Sequence, residues 1–278
     1  MARNFMDLLN AKWAEGKFVC VGLDSDLEKI PKSVKGSDPA KTIWEFNRRI
    51  VESTKDIVCA YKPNSAFYEA HGSFGWEALV HTVCDIQEIA PSVPIILDAK
   101  RADIGNTNNG YVSSAFEALQ VDAITVHPYL GKEALKPFLD RKDKGVFVLC
   151  RTSNPGAGEF QDIPVNSFGH KLFHWVAKHV VGSWNDNNNC GVVVGATYPQ
   201  ELADVREIVG DMPILIPGIG AQGGDLEATV KAGKDSRGRG MIINSSRGII
   251  FASNGPDYAE AACRETQKLH NAIQACLK

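Results

Sequence analysis

The chain has 278 residues, 44% of them hydrophobic and 23% charged, with a formal net charge of -3. That composition fits a globular fold with a sizeable core, and the mild negative balance gives no general attraction to nucleic acid or to an anionic membrane. No apolar run is long enough to span a bilayer, and Met1-Ala2-Arg3-Asn4-Phe5-Met6 leads into a charged amphipathic segment without a signal peptide's apolar core; a cytoplasmic location is the expectation.

Short β-branched runs recur in order along the chain, at 18–23, 57–62, 93–100, 123–127, 145–151, 191–195, 213–217 and 240–244. Between them lie segments with helical period. Asp38-Pro39 offers an N-cap and a first-turn proline before Ile43, Phe46, Ile50 and Val51. The segment after Phe168 carries Leu172, Val176 and Val180, and Asn185-Asp186-Asn187-Asn188-Asn189 reads as a polar loop that would tolerate insertions. Tyr198-Pro199 opens a helix with Leu202, Val205, Ile208 and Val209, and the last helix runs from about Pro256 to the C-terminus.

Strands that are apolar on both faces and alternate with helices predict a parallel sheet covered by helices. Eight such repeats predict closure into a single (β/α)8 TIM barrel domain over residues 1–278. An open doubly wound sheet would carry G-x-G-x-x-G after the first strand, where the chain has Val21-Gly22-Leu23-Asp24-Ser25-Asp26.

In a barrel the C-terminal strand ends form one mouth. Read in order, they supply Asp24, Lys62, then Asp98 and Lys100, His127-Pro128-Tyr129, Arg151-Thr152-Ser153-Asn154, Pro217-Gly218-Ile219-Gly220 and Ser245-Ser246-Arg247-Gly248. The third end continues as Asp98-Ala99-Lys100-Arg101-Ala102-Asp103, placing a lysine between two aspartates directly after an apolar strand. Such charges are expensive to bury, and a Schiff-base role fits them poorly because flanking carboxylates hold a lysine as ammonium. An ammonium suits proton donation or the stabilisation of developing negative charge.

Downstream, Pro217-Gly218-Ile219-Gly220-Ala221-Gln222-Gly223-Gly224-Asp225 packs four glycines into a loop that opens a helix. Backbone N–H groups there can approach an anion, and Arg247 adds a planar fork suited to phosphate. His127 reads as a hydrogen-bonded structural histidine, Tyr129 and the tryptophans as packing, and Ser153 as a polar ligand contact, since no histidine at recognisable spacing would activate it. The seven cysteines show no C-x-x-C pair and the histidines no zinc spacing, so reduced, mostly buried thiols and no metal are expected.

Asp98-Ala99-Lys100-Arg101-Ala102-Asp103-Ile104-Gly105-Asn106-Thr107 together with the glycine-rich run resembles the orotidine 5'-phosphate decarboxylase family. Arg151-Thr152-Ser153-Asn154-Pro155-Gly156 and the chain length are similar to its longer, type 2-like branch. The resemblance implies conversion of orotidine 5'-monophosphate to uridine 5'-monophosphate and carbon dioxide, the last step of de novo pyrimidine synthesis, without metal or organic cofactor. It implies that Lys100 donates the proton to C6, that Asp98 sits against the substrate carboxylate, and that Lys62, Asp98, Lys100 and Asp103 form a charge network. Asp24 and Lys62 would contact the ribose, Ser153 the pyrimidine with Pro217 packed beside it, and Gly218, Gly220, Gln222 and Arg247 the phosphate. Asp103, Ile104 and Thr107 would reach into a neighbouring subunit's site, implying a homodimer with shared active sites. Two rivals remain open: a magnesium-dependent decarboxylase of a keto-sugar phosphate, which needs a further carboxylate near Asp98, and a noncatalytic nucleotide-phosphate binder.

Overall fold

The computed structural model describes residues 3–165, 170–219 and 225–278. Its eight strands are β1 (Val19–Leu23), β2 (Val58–Pro63), β3 (Ile96–Arg101), β4 (Ala123–Val126), β5 (Gly145–Arg151), β6 (Cys190–Val194), β7 (Ile214–Pro217) and β8 (Met241–Ser245). They pair in parallel in the order β2-β1-β8-β7-β6-β5-β4-β3. The seam between β2 and β3 is closed by parallel bridges Tyr61↔Ile95 and Asn64↔Asp98, with the Tyr61 N–H donating to Pro94 O at 3.1 Å and the Ser65 N–H to Asp98 O at 3.2 Å. The expected barrel is therefore the fold, and every residue of β1, β2, β4, β6 and β8 is buried, as strands sandwiched between interior side chains and outer helices must be.

The helices start where their caps predict. Asp38 accepts the N–H groups of Ala40 and Lys41 and opens Pro39–Thr54, whose Ile43, Phe46, Ile50 and Val51 are buried. Pro199–Val209 begins at the expected proline and buries Leu202, Val205 and Val209. The helix Leu172–His179 runs on as a wider turn over Val180–Trp184, and Tyr258–Leu277 ends the chain's fold; Phe168 lies outside the described residues.

The N-terminal ends of the strands are plugged. The helix Phe5–Ala14 sets Phe5 edge-on to Phe147 at 5.5 Å, and the Trp13 indole donates to Met241 O. Arg206, 8% exposed, donates to the carbonyls of Gly233, Gly210, Met212 and Gly240 around β7 and β8. A cleft opens at the opposite end.

Two expectations need correction. Tyr129 is 85% exposed rather than packed, because the turn after β4 carries it outward, and Trp76 and Trp175 are also exposed while Trp13 and Trp184 are buried. The Asn185–Asn189 segment is a structural tie rather than a slack loop. Asn189 Nδ2 donates to the carbonyls of Leu139, Arg141 and Lys144, and Asn185 Oδ1 accepts the Cys190 N–H. An insertion next to Asn185 or Asn189 would disturb contacts at the start of β6. All seven cysteines are free; Cys20, Cys59, Cys150 and Cys190 are buried and Cys84 is exposed.

Candidate active site

A cleft of about 320 Å³ opens over the C-terminal strand ends, within the range that holds a small molecule. Its walls carry Asp24 directly after β1, Lys62 from β2 and Asn64 just after it, Asp98 and Lys100 from β3, Thr125 from β4, Ser153 after β5, Pro217 at the end of β7 and Gly218 after it, and Asn244 and Arg247 from β8 and its loop.

Its floor is an alternating row of charges. Lys62 Nζ, on a residue only 3% exposed, donates to Asp98 Oδ2 at 3.0 Å and lies 3.8 Å from Asp24 Oδ1. Lys100 Nζ donates to Asp98 Oδ1 at 2.7 Å from a half-exposed side chain. Burial works against the charged form of Asp98, yet Lys62 and Lys100 outweigh it and hold the carboxyl far below the usual carboxylate range. Burial likewise lowers Lys62, but Asp98 and Asp24 overcome it and leave the ammonium more basic than a free lysine. Burial pushes the Cys20 thiol in β1 up to about 12, so no thiolate nucleophile sits beneath the site.

These directions set a sign for stability against pH. With its folded value depressed, Asp98 contributes fully above the unfolded carboxylate value of about 3.9 and progressively less as pH falls below it. From about pH 6 to about pH 3 the wild-type chain is expected to lose roughly 1 kcal/mol more unfolding free energy than Asp98→Asn. Urea melts of both proteins at the two pH values check this, and equal losses would show that Asp98 is not held ionised. Lys62 has the opposite sign: its contribution is present below a free lysine's value and fades as pH rises through its raised folded value.

The backbone explains how Lys100 reaches the mouth. Between the pairs Leu97↔Ile124 and Arg101↔Val126 the register shifts, so Asp98, Ala99 and Lys100 stand opposite Thr125 alone. Lys100 takes φ +48°, a left-handed conformation that costs a non-glycine residue about 1–2 kcal/mol. That kink turns Lys100 back over Asp98. Close approaches elsewhere fix neighbouring walls: a Cβ on Gly22 would lie 1.8 Å from Ser246 Oγ, and one on Gly195 2.7 Å from Ser153 Cβ.

Asp98, Lys100, Lys62, Asp24, Ser153, Pro217, Gly218 and Arg247 are thus brought together as expected. Gly220 and Gln222 lie outside the described residues. Asp103, Ile104 and Thr107 are not joined to the cleft within the chain. The Asp103 carboxylate accepts the Ile104 N–H at 2.6 Å, the Asp103 N–H is bonded to Asn108 Oδ1, and Ile104 is 64% exposed. The expected network of Lys62, Asp98, Lys100 and Asp103 therefore lacks Asp103 in the single chain, because the turn after β3 carries its side chain away.

Arg151 is spent on structure. Its Nε donates to Glu201 Oε2 at 2.5 Å, it pairs with Asp162, and it bonds Gln161, which also accepts the Thr152 N–H. His127 bonds through Nε2 to Ala102 O, the structural role expected of it.

Sequence reasoning passed over Thr125 and Asn244. Among the described residues, Asp24 Oδ1 and Asn244 Oδ1 are buried acceptors with no hydrogen-bond donor, and both residues line the cleft; such atoms call for hydroxyl or amide donors from a ligand. Among the described residues no group of three or more His, Cys, Asp or Glu is placed to hold a metal ion.

A family model described as orotidine 5'-phosphate decarboxylase / HUMPS family matches residues 17–262. The chain belongs to that family. The expectation of a carboxy-lyase is borne out: the chain is 47% identical over 273 residues to orotidine 5'-phosphate decarboxylase of Azoarcus sp., covering 98% of this chain and 99% of that one. Among solved structures, Leishmania donovani OMP decarboxylase superposes with TM-score 0.82 at 39% identity, covering 96% of this chain and 99% of its own. Leishmania donovani UMP synthase gives TM-score 0.84 at 40% identity, but this chain spans only 57% of its length. No helix among the described residues is long and apolar enough to cross a membrane.

Proposed function

We propose that this chain converts orotidine 5'-monophosphate to uridine 5'-monophosphate and carbon dioxide without metal or organic cofactor, Lys100 delivering the proton to C6. The observation that carries the proposal is the Lys62–Asp98–Lys100 array, which fixes an ammonium at the mouth of the cleft. When the C6–carboxylate bond breaks, its electron pair stays on C6 and no cofactor delocalises it. A preorganised cation with a proton to give is what that carbanion needs, and Lys100 supplies both. Asp98 lies beside Lys100, where it would meet the departing carboxylate. Asp24, with its donor-free Oδ1, and Lys62 would hold the ribose hydroxyls, Ser153 would read the pyrimidine edge, and Pro217 would pack against the ring. Turnover of orotidine 5'-monophosphate by the purified chain tests the whole reading.

Gly218 and Arg247 would take the phosphate at the rim, where Arg247 is exposed and pairs with no carboxylate among the described residues. Phosphate grip far from C6 can drive closure around the reacting group. Arg247→Ala is expected to raise KM about 10- to 100-fold with a smaller change in kcat. Steady-state kinetics check it, and an unchanged KM would remove Arg247 from the phosphate site.

Asp103, Ile104 and Thr107, turned away from their own cleft, would complete that of a second copy in a homodimer working in the cytoplasm. Shared sites predict complementation. Asp103→Ala and Lys100→Ala are each expected to be nearly inactive. Their 1:1 mixture after subunit exchange is expected to recover about a quarter of wild-type activity, since half the dimers carry one intact site. No recovery in verified mixed dimers would place Asp103 in its own chain's chemistry.

A further inference from the structure

We propose that Thr125 is a positioning residue for the reaction, its hydroxyl fixing Lys100 and Asp98 relative to each other; the proposal rests on the decarboxylase reading. At the register shift in β3, three residues face one on β4, so the ladder offers the Lys100 N–H no backbone carbonyl. Thr125 Oγ1 takes that place. It accepts the Lys100 N–H at 2.9 Å and donates its own proton to Asp98 Oδ1, also at 2.9 Å. Asp98 Oδ1 receives Lys100 Nζ at 2.7 Å as well, which closes a ring from the Lys100 backbone through Thr125 and Asp98 to the Lys100 side chain.

The ring sets two positions at once. It anchors a left-handed residue whose φ of +48° would otherwise relax, and it gives the Asp98 carboxylate a third donor beside the two ammonium groups. Thr125 is 1% exposed and borders the cleft, so no water competes for its hydroxyl from behind. The task is specific to a hydroxyl, the one neutral side-chain group of this size that accepts from an N–H and donates to a carboxylate through the same atom. A β-branched hydrocarbon fills the same volume and does neither.

The test uses that distinction. Thr125→Val keeps shape and loses the hydroxyl; Thr125→Ser keeps the hydroxyl and loses a methyl group. A positioning role predicts that Val lowers kcat about 10- to 100-fold with KM nearly unchanged and that Ser stays within a few-fold of wild type. A packing role predicts the reverse rank, Val close to wild type and Ser impaired, and that result overturns the proposal. Amide hydrogen exchange at Lys100, measured on the same proteins, is expected to be slow in wild type and Ser and fast in Val. Equal protection in all three would also overturn it. A wild-type protein that leaves orotidine 5'-monophosphate unchanged defeats the decarboxylase reading instead, and the amide exchange then decides the Thr125 contact by itself. Should Val fail to fold, the Ser variant decides: a large fall in its kcat overturns the proposal, and near-wild-type turnover with a slowly exchanging Lys100 amide supports it.

Discussion

Lys100→Ala is expected to lower kcat by about 10⁴-fold or more while uridine 5'-monophosphate still binds measurably. The magnitude follows from two roles in one group: general acid catalysis is worth about 10²–10⁴, and a preorganised charge at the developing anion about 10²–10³. The ammonium stands 2.7 Å from Asp98 on a half-exposed side chain, so its loss leaves Lys62 still paired with Asp98 and the rest of the cleft built. On the proposed reading, product binding would rest on the phosphate and ribose contacts, which the substitution does not touch. Single-turnover kinetics with calorimetric titration of uridine 5'-monophosphate separate the two effects. Turnover within about tenfold of wild type would remove Lys100 from the chemistry.

Lys62→Ala is expected to damage both activity and stability. Lys62 is buried between two carboxylates, 3.0 Å from Asp98 Oδ2 and 3.8 Å from Asp24 Oδ1. Removing the cation leaves the partly buried Asp24 without the charge beside it and Asp98 with Lys100 and the Thr125 hydroxyl. Breaking a buried ion pair from one side costs about 3–5 kcal/mol, because the remaining charge stays desolvated. The variant is therefore expected to unfold at markedly lower denaturant and to show its acid transition at higher pH, as Asp98 loses a main cause of its depressed value. Its kcat is expected to fall by several orders of magnitude. Lys62→Arg is expected to rescue little, since a planar guanidinium does not fit a pocket shaped around a compact ammonium. Chemical unfolding and steady-state rates give both readings; wild-type stability in the alanine variant would mean that the Asp24–Lys62–Asp98 triad does not hold the site together.

The barrel was largely legible because strands buried on both faces write themselves as apolar runs, and their ends fall where the chemistry sits. β3 is blurred at its start: residues 93–95 are as apolar as the strand, yet the strand begins at Ile96, and Ile95 before it bridges to Tyr61 and accepts the Ala123 N–H. Asp98, Lys100 and Lys62 could be paired in advance because strand ends and charge complementarity both point inward. Asp103 shows where that reasoning stops, since its closeness to Lys100 in the chain says nothing about the turn that carries it away. Thr125 looked like any β-branched strand residue. Its role comes from a bulge in the neighbouring strand, a nonlocal fact that spacing does not encode. Arg151, placed at a strand end like the ligand residues, is claimed by Glu201 from a helix distant in sequence and by Asp162 from the segment that follows β5.

The central claim is cofactor-free decarboxylation at the strand-end lysine, and one measurement meets it head on. Purified chain is mixed with orotidine 5'-monophosphate in the presence of a metal chelator, and the loss of the substrate's ultraviolet absorbance is followed. Rapid and complete conversion to uridine 5'-monophosphate, indifferent to the chelator, is the predicted result; no conversion, or conversion only after magnesium is restored, would contradict it.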